Sequence, residues 1–313
     1  MKVLLICPVP PQTYWPRGIF RNTSVPTGVG HMASLLKSAG HDVRVYVREE
    51  QLCKLKFDWD AAELHVRRAI GDFAPDVVGF SVCTPMVSEA GRLAAATREL
   101  LGDSPMIVAG GSHVTALPAR TLRECPDLDA VVVGEGERTL LELVEAGPGP
   151  DVAGVVWRDG ETIRTNAPRS PEADLDSLPP IDYSMFDMGF YTAPSRWLIR
   201  WMEIPVTNIR TSRGCTNRCA FCAGHLVAGL GLRFHSVGYV VERMKHAVDS
   251  FHVRGIHFED DTLGADRDRL MDLCEAIRSA GLDRRVVWDG CLRVDQSDAE
   301  LLATMKKAGC VQI

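Results

Sequence analysis

Residues 211–225, TSRGCTNRCAFCAGH, hold Cys215, Cys219 and Cys222 at the spacing C-x3-C-x2-C, with Phe221 just before the last cysteine. Thiolates are soft ligands, and close sets of them hold zinc or iron–sulfur clusters. A structural zinc site takes four ligands, usually as two Cys pairs or a Cys/His set. A 4Fe-4S cluster has four irons, so three cysteines wrap three of them and leave the fourth open to a small molecule. The triplet therefore points to a reactive cluster, against the plainer readings of a zinc knuckle or three unrelated core cysteines.

Outward from this stretch the pattern is a β/α repeat. Residues 206–211 form a strand that runs directly into the cysteine loop. Ser236 is an N-cap for a helix over 237–251. A strand over 255–259 ends in Glu259-Asp260-Asp261, and a helix over 266–280 closes on Gly281. A third strand, 286–292, precedes Arg293. Ser297 and Glu300 read as a capping box for a helix ending at Ala308, and a fourth strand covers 310–313.

The cysteine loop at the end of a strand, with this repeat behind it, resembles the radical S-adenosylmethionine (SAM) enzymes. In that family the open iron chelates the amino and carboxylate groups of SAM, and electron transfer from the cluster yields a 5′-deoxyadenosyl radical. The resemblance implies that Cys215, Cys219 and Cys222 bind the cluster with Phe221 beside it, and that 206–313 are the first four strands of a six-stranded partial barrel. Active sites of β/α barrels lie at the carboxyl ends of the strands. A positive amine needs an anionic acceptor, so the resemblance implies that Glu259, Asp260 or Asp261 holds the SAM ammonium, against the plainer reading of a solvated turn and helix start. Many members have Gly-Gly-Glu there, where this chain has Phe-Glu-Asp-Asp. Arg293 pairs with a SAM carboxylate or with Asp295.

Upstream, apolar runs at 3–7, 43–47, 77–82, 106–109 and 130–133 alternate with helix candidates at 29–38, 61–72, 88–101, 116–124 and 137–145. This predicts a doubly wound, five-stranded parallel sheet of Rossmann-like form, with ligands beyond the strands' carboxyl ends. No G-x-G-x-x-G follows the first strand and no G-x4-G-K-[ST] occurs, which argues against dinucleotide or nucleoside-triphosphate binding. Ser81, Gly110-Gly111-Ser112-His113 and Gly134-Glu135-Gly136-Glu137 stand at strand ends. With Pro26-Thr-Gly-Val-Gly-His31 and Gly40-His41-Asp42-Val43 they resemble the cobalamin-binding domain that precedes many radical SAM cores. The resemblance implies a corrin over the strand ends, its nucleotide tail near Ser81, Thr84 and Gly110-Gly111, and further contacts from His113 and the 134–137 loop. The D-x-H-x-x-G string of histidine-ligated cobalamin domains is absent, so base-off binding without a lower histidine is expected. The loop over 9–26, with Tyr14, Trp15, Arg17 and Phe20, is expected to cover that face, against the plainer reading of a disordered or packing loop.

The expected organisation is a cobalamin domain over 1–146, a linker with a small hairpin over 147–205, and an incomplete radical SAM core over 206–313. The hairpin turns at Arg158-Asp159-Gly160. Phe186, Phe190, Tyr191, Trp197 and Trp201 are read as packing residues, with lining of a cleft between the domains as the alternative.

The bulk properties agree with these readings. The 313 residues are 46% hydrophobic and 24% charged, ordinary for a globular chain of two domains. A net charge of -6 argues against general nucleic-acid binding. The apolar run at the amino terminus ends at Pro8, too short for a signal or a membrane span. The ten cysteines therefore read as reduced thiols or ligands in a cytoplasm. Cys7, Cys53, Cys83, Cys125, Cys274, Cys291 and Cys310 lie outside the triplet, most of them in apolar runs that suggest core packing.

The resemblance implies a cobalamin-dependent radical SAM enzyme with a 4Fe-4S cluster, SAM and cobalamin, most often a methyltransferase acting on an unactivated carbon or phosphorus centre. A cyclase or rearrangement enzyme of the same layout is the alternative, and a cofactor-binding module without turnover is another. The expected partners are a small-molecule or natural-product substrate and an external one-electron reductant of the flavodoxin or ferredoxin type. The bare fourth strand suggests a truncated chain or a second polypeptide that completes the barrel. No catalytic acid or base is identifiable.

Overall fold

The structure of this chain is a computed structural model that describes residues 1–13, 24–196, 198–224, 227, 229 and 231–313. Tyr14, Trp15, Arg17, Phe20, Trp197 and His225 lie outside the described residues. The chain divides into two compact units. The first is Met1–Asn22, Gly28–Glu172 and Pro179–Met185; the second is Thr23–Thr27, Ala173–Leu178 and Phe186–Ile313.

In the first unit the strands are β1 (Lys2–Cys7), β2 (Asp42–Val47), β3 (Val77–Ser81), β4 (Met106–Gly110), β5 (Ala130–Val132), β6 (Val155–Asp159) and β7 (Thr162–Thr165). Their order is β2-β1-β3-β4-β5-β6-β7, the first five parallel. The helices are α1 (Thr27–Ser38, its first residue belonging to the second unit), α2 (Arg48–Lys54), α3 (Trp59–Phe73), α4 (Val87–Leu101), α5 (Ser112–Ala116), α6 (Pro118–Glu124) and α7 (Glu137–Ala146). Alternate strand residues feed two separate cores. Leu4, Ile6, Val78, Phe80, Ile107 and Val131 pack with α3 and α4, while Val3, Leu5, Val77, Val108, Ala130 and Val132 pack with α1 and α7. A sheet covered on both faces needs continuous apolar strands, and β1 supplies four buried residues in succession. The doubly wound expectation therefore holds for the five parallel strands.

The hairpin expected in a linker is instead part of this sheet. β6 runs antiparallel to β5, with Val131 opposite Val156, and β7 runs antiparallel to β6. An antiparallel strand needs no long crossover, so a short return suffices to cover the edge that β5 would otherwise expose.

The second unit contains α8 (Met188–Tyr191), β8 (Val206–Ile209), the short antiparallel pair β9 (Ser212–Arg213) and β10 (Arg233–Phe234), α9 (Val237–Phe251), β11 (Gly255–Phe258), α10 (Arg267–Ser279), β12 (Val287–Gly290), α11 (Ala299–Lys307) and β13 (Cys310–Gln312). β13-β12-β11-β8 is a parallel four-stranded sheet in sequential order. Ile209, Ile256, Phe258 and Trp288 pack against Val240, Met244, Leu270, Leu273, Ile277, Leu301 and Met305 of the helices. Ser236 caps α9 as expected, its hydroxyl accepting from Tyr239 N–H at 3.1 Å. The expected capping box before α11 is not formed. Asp298 is the N-cap, accepting from Leu301 N–H at 2.9 Å, because Ser297 closes the preceding 3-10 turn with a bond from Oγ to Val294 C=O.

Phe186, Phe190 and Tyr191 form an edge-to-face cluster as the packing reading expects, whereas Trp201 stands 93% exposed. Among the described residues no helix is long and apolar enough to cross a membrane.

One glycine is required by close approach. Gly111 has φ +106°, and a Cβ there would stand 2.7 Å from Val82 C=O and 2.8 Å from its N. Gly111→Ala is therefore expected to lower stability by about 1–3 kcal/mol. The urea midpoint should fall accordingly, and an unchanged midpoint would refute this packing account.

Candidate functional site

In the second unit the cysteine loop leaves the carboxyl end of β8 through Thr211 and Ser212. Both are tied down by Asp260, just past the end of β11. Asp260 Oδ1 accepts from Thr211 N–H at 2.7 Å, and its Oδ2 accepts from the hydroxyls of Thr211 at 2.6 Å and Ser212 at 2.7 Å. Asp260 is only 5% exposed. From α10, Arg269 lies over the Phe234 ring and donates to the carbonyls of Thr211 and His235, each at 3.0 Å. The root of the loop is thus pinned from β11 and α10.

The three thiols are free, Cys215 and Cys219 half-buried and Cys222 exposed. Each sulfur has a donor beside it. Asn217 Nδ2 is 3.5 Å from Cys215 Sγ, Gly224 N–H is 3.3 Å from Cys222 Sγ, and Arg293 Nη1 is 3.5 Å from Cys219 Sγ. Phe221 is 93% exposed. Among the described residues no three Cys, His, Asp or Glu side chains converge on a point that holds a single metal ion. A cubane cluster makes a different demand, since each of three irons takes one thiolate and the ligands ring the cluster. Three accessible thiols on one anchored loop, with N–H donors at each sulfur, fit that demand. The other cysteines divide. Burial pushes the thiols of Cys7 and Cys274 up to about 12 and that of Cys310 up to about 11, as suits inert packing groups. Cys83 and Cys291 are exposed, contrary to a core reading.

The acidic run separates into three environments. Asp260 is engaged in holding the loop. Glu259 uses one oxygen, Oε2, for Thr27 Oγ1 at 3.0 Å, Asn208 Nδ2 at 3.1 Å and Arg210 Nη2 at 3.6 Å. Its Oε1 has no partner among the described residues. Asp261 is exposed. Arg293 grips Asp295 with Nε–Oδ1 at 2.9 Å and Nη2–Oδ2 at 2.8 Å, so its partner here is Asp295.

The sheet face opposite the helices carries a row that the sequence reading missed. Asn208, His257, Asp289 and Gln312 occupy one register across β8, β11, β12 and β13. His257 Nδ1 lies 2.9 Å from Asp289 Oδ1, and Gln312 Nε2 donates to Asp289 Oδ2 at 3.2 Å. Asp289 is 3% exposed. Alternation was the available signal: Ile256-His257-Phe258 places a polar residue between apolar ones, and Asp289 directly follows the apolar Trp288. The bond to Asp289 raises the His257 pKa, against the opposing effect of burial. A folded-state pKa above the unfolded value stabilises the protein fully below about pH 6.5, and the benefit fades as pH rises through the raised value. The His257 ring-proton resonance is expected to titrate above the ordinary histidine value in the native chain and to fall back in Asp289→Asn. Equal midpoints in the two proteins would refute the pairing.

In the first unit, Ser81, Thr84, Gly110, Gly111, His113, Gly134, Glu135, Gly136 and Glu137 follow or end β3, β4 and β5. Ser81 lies opposite Gly110 in the sheet register. His113 is 8% exposed, with Nδ1 3.1 Å from Thr84 Oγ1 and Nε2 without a hydrogen-bond partner among the described residues. Gly134 donates from its N–H to Thr115 Oγ1 at 3.0 Å, and among the described residues nothing stands within 4 Å of where its Cβ would be. Glu137 is buried, and Glu135 Oε2 accepts from Glu172 N–H at 3.1 Å. An orphaned buried nitrogen and uncovered backbone at the strand ends suit a large polar ligand such as a corrinoid.

Residues 20–144 match the family model of the B12 binding domain. An uncharacterized methyltransferase of Pyrococcus horikoshii is 31% identical over 314 residues, covering 99% of this chain and 64% of the relative. Cytidylyl-2-hydroxyethylphosphonate methyltransferase of Streptomyces wedmorensis is 27% identical, covering 92% of this chain and 60% of the relative. The chain therefore spans less than two-thirds of the length of these curated relatives. The structure of the radical S-adenosylmethionine methyltransferase TsrM from Kitasatospora setae, with cobalamin and a [4Fe-4S] cluster bound, superposes with a TM-score of 0.71 at 19% identity, covering 99% of this chain and 57% of that one. The chain thus carries a match to a B12 binding domain over residues 20–144, and its fold superposes on just over half of the TsrM structure. This agrees with the resemblance drawn from its cysteine loop and strand ends.

Proposed function

We propose that this chain acts as a cobalamin-dependent radical SAM methyltransferase on a small-molecule substrate. The observation that carries the reading is the anchored C-x3-C-x2-C loop at the carboxyl end of β8, in a chain whose amino-terminal region matches a B12 binding domain. Cys215, Cys219 and Cys222 hold a 4Fe-4S cluster. The strand ends from Ser81 to Glu137 hold cobalamin. When bound, the cluster, SAM and cobalamin together supply one-electron cleavage of SAM and a transferable methyl group.

The residues of the chain bind and orient. Glu259 accepts the SAM ammonium, since its Oε1 has no partner among the described residues while Asp260 holds the loop root. The row from Asn208 to Gln312 presents polar groups to whatever lies on that face of the sheet. The reading includes an external one-electron donor of the flavodoxin or ferredoxin type, and a further polypeptide segment beside the β13 edge. It also places the chain in the cytoplasm, where its ten cysteines stay reduced.

The test is anaerobic reconstitution with iron, sulfide and hydroxocobalamin, followed by absorbance spectra, metal analysis and assays for 5′-deoxyadenosine and S-adenosylhomocysteine. Iron, bound corrinoid and SAM turnover are expected. A colourless protein that takes up zinc but no iron would overturn the reading.

A further inference from the structure

Arg293 follows β12, and its backbone is fixed. It caps the 3-10 turn Val294–Gln296, and Gln296 Oε1 in turn accepts from Thr262 Oγ1 at 2.6 Å. Its guanidinium is also fixed. One edge, Nε and Nη2, grips both oxygens of Asp295 at 2.9 and 2.8 Å. A planar guanidinium held on one edge has its remaining nitrogen directed elsewhere, and that nitrogen, Nη1, lies 3.5 Å from Cys219 Sγ. The structure thus supplies a sulfur, a donor aimed at it, and a carboxylate that sets the donor's direction.

We propose that Arg293, oriented by Asp295, is a positioning residue that donates to the Cys219 sulfur and raises the reduction potential of a cluster bound there. The inference rests on the cluster reading above. Reduction adds one electron, taken from an external low-potential donor, and the added negative charge is shared with the sulfurs. A donor and positive charge at one sulfur stabilise the reduced state more than the oxidised one, so the potential moves up. Asp295 opposes this by its own charge while setting the direction of the bond. The pair is therefore a tuning device whose two members act with opposite sign.

The experiment uses the full reconstituted chain, titrated with dithionite against redox dyes and followed by electron paramagnetic resonance. Iron and sulfide content are measured in parallel. Arg293→Met is expected to hold the cluster but shift its potential negative, by about tenfold in the reduced-to-oxidised ratio, or about 59 mV for one electron. Asp295→Asn is expected to shift it the other way, and Arg293→Lys to fall between Arg293→Met and the native chain. Native iron content with unchanged potentials in both Arg293→Met and Asp295→Asn would overturn the proposal. If Arg293→Met assembles no cluster, Asp295→Asn decides alone: a positive shift supports the proposal and no shift overturns it. A native chain that takes up no iron sinks the cluster reading, and this inference with it.

Discussion

Cys215→Ala, Cys219→Ala and Cys222→Ala are each expected to abolish SAM cleavage after anaerobic reconstitution, with iron content falling far below that of the native chain. A cluster held by three thiolates has no spare protein ligand, so losing one removes a third of its anchorage. The fold should hardly notice. The three side chains are exposed or half-buried, and surface changes of this kind alter stability by about 0.5 kcal/mol or less. Corrinoid binding should also survive, since the residues proposed for it belong to the first unit. The measurements are iron and sulfide content, 5′-deoxyadenosine formation and corrinoid retention on gel filtration. If any one alanine variant keeps native iron content and SAM cleavage, the loop is not the cluster site. If all three lose corrinoid as well, the separation of roles is wrong.

Asp260→Ala should act through structure. Its carboxylate accepts three hydrogen bonds at the root of the cysteine loop, from Thr211 N–H, Thr211 Oγ1 and Ser212 Oγ. Alanine leaves three buried donors unanswered and a gap beside Arg269. Hydrogen bonds to a charged group contribute about 1.5–3 kcal/mol each, though losses within one network do not add fully. A loss of roughly 3–5 kcal/mol is expected, read as a lower urea midpoint, together with impaired iron uptake. Asp260→Asn should recover part of this, because its Oδ1 still accepts from Thr211 N–H. An alanine variant with native stability and native iron uptake would refute the anchoring role. Glu259→Gln provides the contrast: it should leave the fold and iron uptake near native while weakening SAM binding. Equilibrium dialysis with SAM checks this, and undiminished binding would refute the assignment of the amine to Glu259.

Much of this was legible because it rests on local pattern. The runs at 3–7, 77–82 and 106–109 are apolar without alternation, which marks strands buried on both faces, and they form β1, β3 and β4. Ser236 as an N-cap and Gly281 in the left-handed region are likewise local facts. Ser297 misled because two competing acceptors stood side by side. Asp298 took the cap, a choice that depends on how the preceding turn closes. The hairpin was recognised, but not its place, since nothing within 155–165 tells which edge it will join.

By itself the sequence determined the two β/α patterns and the cysteine spacing, because periodicity and ligand interval are properties of neighbours along the chain. Only the tertiary structure distributed the acidic run among separate tasks, with Asp260 on the loop, Glu259 half-engaged and Asp261 in solvent. It alone aligned His257 with Asp289 and brought Arg293 to Cys219, 74 residues away. Such pairings depend on strand register and on which atoms remain unsatisfied after folding, and no interval in the sequence encodes either.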